Sequence, residues 1–144
     1  MAPRLTRVSE LFIKLSDDDV SGWGFELTLR VPRAATDAAP PSWALGLLAK
    51  LGAYVFSASS PIASGHRMDP GSPLTGRPDA RLTALAFTDD PELSAIDTPH
   101  GRLAFLAVVG ITSAELALMK QTDTATVLER LKRSSPLLIT DPAR

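Results

Sequence analysis

Histidine and carboxylate side chains are the residues of this chain that could take part in catalysis or bind a metal. Few of them lie close together in the sequence. The 144 residues include two histidines, His66 and His100. His66 lies three residues before Asp69, a pair that could share a metal ion or act in acid–base catalysis. With Asp89, in the acidic turn "TDDPE", the pair defines a hydrolase or metal-enzyme alternative. The acidic turn does not match a calcium loop, and two ligands three residues apart in a loop are a weak metal signal, so an ordinary polar loop without metal is the favoured interpretation.

Composition excludes several other classes of site. The chain has no cysteine, which excludes disulfides, thiolate nucleophiles and thiolate metal ligands. The formal net charge is −1, without the basic excess of general nucleic-acid binding. The longest apolar run, Leu103 to Ile111, is far shorter than the ~20 residues of a membrane-spanning helix, and the amino terminus does not resemble a signal peptide. We therefore expect a cytoplasmic protein that needs no cofactor and binds neither nucleic acid nor membrane.

The clearest element that could position such residues is a strand at Gly22 to Arg33, "GWGFELTLRVPR". Its apolar and polar residues alternate strictly, which is typical of a half-buried strand. The polar face carries Glu26, Thr28 and Arg30. Alternation alone favours a solvent-exposed or partner-facing surface for these three side chains rather than a catalytic one.

A helix is predicted from about Trp43 to Ser57, with Ser42 as its N-cap. Its apolar residues share one broad stripe that should cover the sheet: Trp43, Leu47, Leu48, Leu51, Tyr54 and Val55. The following segment, Ser57 to Asp79, is rich in Ser, Pro and Gly. A loop of this length is uncommon in a compact domain and is often functional.

Strand character returns in "RLTALAFT" from Arg81 to Thr88. The stretches "LSAID", "TPHG" and "RLAFLAVVGI" then predict a strand, a turn and a strand, which together form a hairpin. The second of these strands is apolar on both faces, so we expect it in the middle of the sheet. Near the amino terminus, "LFIKL" (11–15) fits either a short strand or one helical turn.

Two short helices should follow the last long strand. "TSAE", from Thr112 to Glu115, is a capping box, and "TVLE", from Thr126 to Glu129, repeats the signal. The helices should extend to about residues 120 and 133. "PLLIT", 136–140, predicts a last short strand. This order of strands and helices predicts a mixed α+β class.

An ordered set of stretches resembles the Suppressor of fused family from about residue 11 to residue 141. The set is "SGWGFELTLRVPR", "PPSWALGLLAKLGAYVF", "SGH", "LTALAFTDDPEL", "IDTPHGRLAFLAVVGIT" and "PLLITD". The resemblance implies one α+β domain over 1–144, a central mixed and largely antiparallel sheet with helices packed on it. Family members usually carry a further segment of several dozen residues before "SELF", so the resemblance also implies an amino-terminally shortened domain. A sheet edge bared in this way could pair with a second copy.

The resemblance also implies a function class, a non-enzymatic protein–protein interaction domain. Animal members are cytoplasmic regulators that sequester transcription factors by gripping a short extended peptide, which adds as a strand. Bacterial members are proposed to be immunity proteins that neutralise toxins. The Ala- and Arg-rich composition and the compact size fit a bacterial member. The leading hypothesis is therefore a bacterial immunity-type protein, and the alternative is a regulatory module that sequesters a peptide-bearing partner.

Three positions match the peptide site of the animal members. Tyr54 corresponds to the tyrosine of "YVF", and Asp89 to the first acid of the Thr-acid-Asp-Pro turn. His66 stands where the animal proteins have an acid after Ser-Gly. This exchange replaces an acid by a group that can be cationic, which reverses the local electrostatic preference. Tyr54, His66 and Asp89 are the predicted partner-binding residues.

Overall fold

The structure is a computed structural model that describes residues 2–7, 20–58 and 61–144. The strands within these ranges are β1 (Ala2–Arg7), β2 (Val20–Arg33), β3 (Arg67–Met68), β4 (Leu82–Asp89), β5 (Ile96–Thr98) and β6 (Gly101–Thr112). The helices are α1 (Ser42–Ala58), α2 (Ser113–Gln121) and α3 (Thr124–Ser134). The ambiguous stretch 11–15 lies outside the described residues.

The strands form one mixed sheet in the order β1-β2-β6-β4-β3, with β5 paired to the first part of β6. β2 and β6 run parallel, and the other pairs are antiparallel. The apolar strand β6 is central, as its pattern predicted. The α+β class and the largely antiparallel sheet are confirmed.

One face of the sheet carries the larger core, and α1 packs on it. The apolar residues of β2 meet their counterparts on β6 in register, with Leu27 opposite Leu106. From α1, Leu48, Leu51 and Val55 are buried in the same cluster. The predicted helix and most of its apolar stripe are therefore confirmed.

The other face has a second core that α2 and α3 cover. Met119 of α2 and Val127 of α3 pack against Val109 and Ile111 of β6. The capping box that begins α2 is present, with reciprocal bonds between Thr112 and Glu115. Because the capping box pairs backbone N–H groups at the start of α2, the helix can begin directly after the central strand β6.

The second predicted capping box is wrong. α3 begins earlier, at Thr124, because Asp123 is its N-cap and accepts a hydrogen bond from the Thr126 N–H at 2.6 Å. The short strand predicted at 136–140 is also absent from this described segment. Leu138 has φ 53°, in the left-handed region that no strand adopts.

The segment after α3 nevertheless joins the sheet through Thr140. Its N–H donates to the Arg30 carbonyl at 2.8 Å, and its hydroxyl accepts from the Gly110 N–H at 2.9 Å. A Cβ on Gly110 would lie 2.6 Å from the Thr140 methyl group. Only glycine allows this close approach, so Gly110 fixes where the carboxyl-terminal segment packs.

The polar face of β2 is buried, contrary to the expectation of a solvent-exposed or partner-facing surface. Glu26, Thr28 and Arg30 are 7%, 0% and 3% exposed. The turn that follows β4 lies against this face and supplies the acids Asp90 and Glu92. The alternation of β2 therefore separates an apolar core from a buried polar cluster.

Candidate partner-binding site

A groove lies between the carboxyl-terminal end of α1 and the edge strand β3. Its cavity volume is about 410 Å³. The floor is apolar, since Phe87 is fully buried and Ile62 is 5% exposed. The described residues that line it are Tyr54, Pro61, Ile62, Gly65, His66, Arg67, Met68 and Phe87.

Tyr54 forms one wall of the groove. Helical spacing assigned this residue to the buried stripe of α1, but its side chain is 45% exposed. The next residue, Val55, is fully buried. The buried stripe of α1 therefore includes Val55 but leaves Tyr54 at the surface. An exposed aromatic ring with a polar tip is a side chain that is enriched at protein-binding hot spots.

The loop before β3 places His66 against the same groove. The Gly65 N–H donates to the Phe87 carbonyl at 2.8 Å, and the Phe87 N–H donates to the His66 carbonyl at 2.9 Å. Gly65 has φ 92°, a conformation that favours glycine. The Ala63 N–H donates to Nδ1 of His66 at 3.1 Å. Nδ1 of His66 is thus a hydrogen-bond acceptor.

Asp89 lies at the end of β4, outside the set of residues that line the groove. Its backbone N–H donates to Oγ of Ser64 at 3.2 Å, so Asp89 is attached to the loop that carries His66. The Asp89 side chain is exposed. The structure therefore brings Tyr54 and His66 into one groove and places Asp89 beside it.

The residues of the metal-enzyme alternative make local contacts. Asp69 accepts a hydrogen bond from the Gly71 N–H at 2.9 Å, and His66 is bonded to Ala63. Within residues 20–58 and 61–144, no group of three His, Cys, Asp or Glu side chains is arranged to hold a metal ion. In the same part of the chain, no helix is long and apolar enough to cross a membrane.

The strand β3 ends the sheet within the described residues, and both of its residues line the groove. Arg67 pairs with Ala86, and Met68 with Leu85. Antiparallel pairs alternate between bonded and non-bonded positions. Because the Phe87 N–H bonds His66, the next pair is non-bonded, so the N–H and C=O of Arg67 point away from β4.

A buried ion pair supports the turn next to Asp89. The Arg30 guanidinium donates to both carboxylate oxygens of Asp90 at 2.8 Å and also bonds Glu92. The Thr28 hydroxyl donates to Asp90 at 2.6 Å, and the N–H groups of Glu92 and Leu93 donate to it at 2.8 Å. The Asp90 side chain is 0% exposed.

These contacts shift the pKa values of both partners. Burial alone would raise the pKa of Asp90, but the donors of Arg30, Thr28 and the turn backbone outweigh it and hold the pKa well below its usual range. Burial alone would lower the pKa of Arg30, but the bonds and charges of Asp90 and Glu92 raise it. Both side chains therefore stay charged inside the protein.

The model of the family described as Suppressor of fused protein matches residues 8–144. The chain belongs to the Suppressor of fused family. The resemblance that the ordered stretches indicated is thereby confirmed.

Two curated Suppressor of fused homologs, from Homo sapiens and Mus musculus, are 36% identical to this chain over 131 residues. The match covers 88% of this chain and 27% of each relative, so the chain spans about a quarter of their length.

Solved Suppressor of fused structures share the fold. A crystal structure described as the Sufu–Fu complex superposes with a TM-score of 0.84 at 28% identity, covering 92% of this chain and 61% of that one. A crystal structure of Drosophila Suppressor of Fused gives a TM-score of 0.80 at 28% identity, covering 88% and 32%.

Sequence patterns did not single out Arg67, which lines the groove, or Asp90, which holds the turn beside it. Arg67 sat in a segment that was predicted to be a loop, and β3 has only two residues, too few for a periodic signal. Asp90 was passed over in favour of Asp89. The sequence "DPE" did carry a signal, because an Asp before Pro often accepts from the backbone of the turn that follows.

Proposed function

We propose that this chain is a non-enzymatic protein-binding domain that receives an extended segment of its partner along β3. The observation that carries the proposal is the outer side of this edge strand, which pairs with no other described strand and lies beside an apolar groove. The N–H and C=O of Arg67 are directed to that side. A strand that adds to a sheet edge gains affinity from backbone hydrogen bonds and selectivity from side-chain pockets.

The groove offers such a pocket to one face of an added strand. Tyr54 and Met68 stand above the buried Phe87 and Ile62, so an apolar side chain can be desolvated between them. His66 adds a polar group at the rim. Tyr54, His66 and Asp89 thus remain the partner-binding residues that we propose, with Asp89 at the border rather than in the pocket.

The relatives support a binding role. One solved relative is described as a complex of Sufu with Fu, so a protein of this fold is found bound to another protein. For this chain, a protein partner is therefore a more economical proposal than a hydrolase built on His66, Asp69 and Asp89. Metal analysis of the purified protein tests that alternative, because a stoichiometric metal lost in His66→Ala would support it.

As the biological role we propose a cytoplasmic, bacterial immunity-type protein that neutralises a toxin. The family membership and the Ala- and Arg-rich composition support it. The alternative is a regulatory module that sequesters a peptide-bearing partner. A neighbouring gene for a large secreted toxin, together with growth rescue on co-expression, would favour immunity. Rescue that disappears in Tyr54→Ala would connect the role to the groove.

The binding surface can be tested without a known partner. A displayed library of random linear peptides is selected on the immobilised protein, and enriched peptides are measured by fluorescence polarisation. We expect Tyr54→Ala and Asp89→Lys each to weaken binding by more than about 1 kcal/mol. Phe56→Ala is the matched control, because Phe56 is an exposed aromatic of α1 (43%) that does not line the groove. Unchanged affinity in both folded variants would place the interface elsewhere.

A further inference from the structure

Arg67 is an exposed cation at the proposed binding edge, and it has no acidic partner within the described ranges. Its guanidinium donates to Oγ1 of Thr124 at 3.4 Å, a long contact with a neutral group. The ion pairs in that part of the chain involve Arg30, Lys132 and Arg144 instead. No described acid neutralises this charge at the strand edge, so it is available to an incoming chain.

Two described acids that neighbour Arg67 or its contact Thr124 in the sequence are engaged elsewhere. Asp123 precedes Thr124 but uses its carboxylate to cap α3 through the Thr126 N–H. Asp69, two residues after Arg67, accepts from the Gly71 N–H. Neither forms an ion pair with Arg67. Among the described residues that line the groove, none is acidic.

Successive residues of β3 face opposite sides of the sheet. Arg67 is opposite Ala86, which belongs to the core under α2 and α3. Met68 is opposite Leu85, which belongs to the core under α1. The Arg67 side chain therefore projects to one face of the edge and the Met68 side chain to the other, on which the apolar core residues of the groove lie, while Arg67 still borders the groove.

An added strand must repeat this alternation. Its residue opposite Arg67 projects to the same face as the guanidinium, where an opposite charge is stabilising and a like charge is not. The residues before and after it project toward Tyr54 and Met68, where apolar side chains are desolvated. We propose that the partner segment alternates apolar and acidic residues, with a carboxylate opposite Arg67. This inference rests on the proposed function and names the chemistry of the segment that it requires.

The test uses displayed random linear peptides as the probe, selected on the wild-type protein and on Arg67→Glu. We expect Asp or Glu flanked by apolar residues in the wild-type selection, and Lys or Arg at that position for Arg67→Glu. Exchanging Glu for Lys in one selected peptide should weaken wild-type binding about fivefold and strengthen Arg67→Glu binding by a similar factor. Arg130→Glu is the control, because it makes the same change in charge at an exposed site on α3 and should keep the acidic preference.

The outcomes separate the two proposals. Peptides that depend on Tyr54 but show no excess of acid, or an acidic preference that survives in Arg67→Glu, would overturn the present inference alone. A selection that yields no Tyr54-dependent binder would overturn the proposed function and the inference with it. Circular dichroism of each variant shows that the comparison is made between folded proteins.

Discussion

Replacing Asp90 by Asn removes one charge from the buried cluster and changes little else in shape. Asp90 accepts from two guanidinium nitrogens of Arg30, from the Thr28 hydroxyl and from two backbone N–H groups of its own turn. An Asn side chain offers one oxygen, and its NH₂ group would face donors. The guanidinium of Arg30, 3% exposed, would lose its buried counter-ion.

The expected loss in the free energy of unfolding depends on the contacts that Arg30 keeps in the variant. Removing one partner of a buried ion pair costs about 3–5 kcal/mol because the other charge is left buried and uncompensated. Glu92 still bonds Arg30 at 2.8 Å, but its side chain is 54% exposed and compensates only partly. We therefore expect Asp90→Asn to lower the free energy of unfolding by about 3 kcal/mol. This is a large part of the roughly 5–15 kcal/mol that stabilises a typical domain.

Urea unfolding followed by circular dichroism measures this loss as a lower midpoint at an unchanged slope. Asp89→Asn is the matched control, because it is the same substitution one residue earlier on an exposed side chain, and we expect less than about 0.5 kcal/mol. In a double-mutant cycle, Arg30→Met with Asp90→Asn should cost less than the sum of the single variants. Equal effects at Asp89 and Asp90 would refute the assignment of the buried counter-ion.

Two further changes in stability are expected. The pKa values of Asp90 and Glu115 are lowered in the folded protein, so their contribution is present above their unfolded pKa values, near 4, and is lost as the pH falls below them. Urea unfolding from pH 6 to about 3 should show this loss, and Asp90→Asn should reduce it. Gly110→Ala should cost about 1–3 kcal/mol because the new methyl group meets Thr140, whereas Gly46→Ala, with nothing within 4 Å, should be neutral or stabilising in the same melts. A Gly110→Ala protein as stable as Gly46→Ala would contradict the close approach.

Local patterns predicted the elements that have enough residues to show a period or a cap. The strand β2, the helix α1 and the capping box at Thr112 were predicted because their signals lie within a few neighbouring residues. The strand β3 was missed because two residues carry no periodic signal. The carboxyl-terminal strand was predicted wrongly because its apolar residues pack from an irregular segment held by Thr140.

The burial of the polar face of β2 could not be read from alternation. The same spacing of Glu26, Thr28 and Arg30 fits either a solvent-exposed face or a buried one. Which of the two forms depends on whether an acidic residue packs against Arg30 and pairs with it. That acid, Asp90, is 60 residues away in the chain. Pairing over such a distance leaves no trace in the local pattern, so the turn that covers this face was visible only in the fold.

The burial of the polar face of β2 also limits where a partner can bind. Had its polar face been open, the face of the sheet would have been the natural contact surface. Instead, α1 covers one face, while α2, α3 and the turn with Asp90 cover the other. Backbone groups that can still pair then belong to the edges, since interior strands have used theirs on both sides. At the edge formed by β3, the outward N–H and C=O of Arg67 lie beside an apolar groove, which is why we place recognition at the edge rather than on a face.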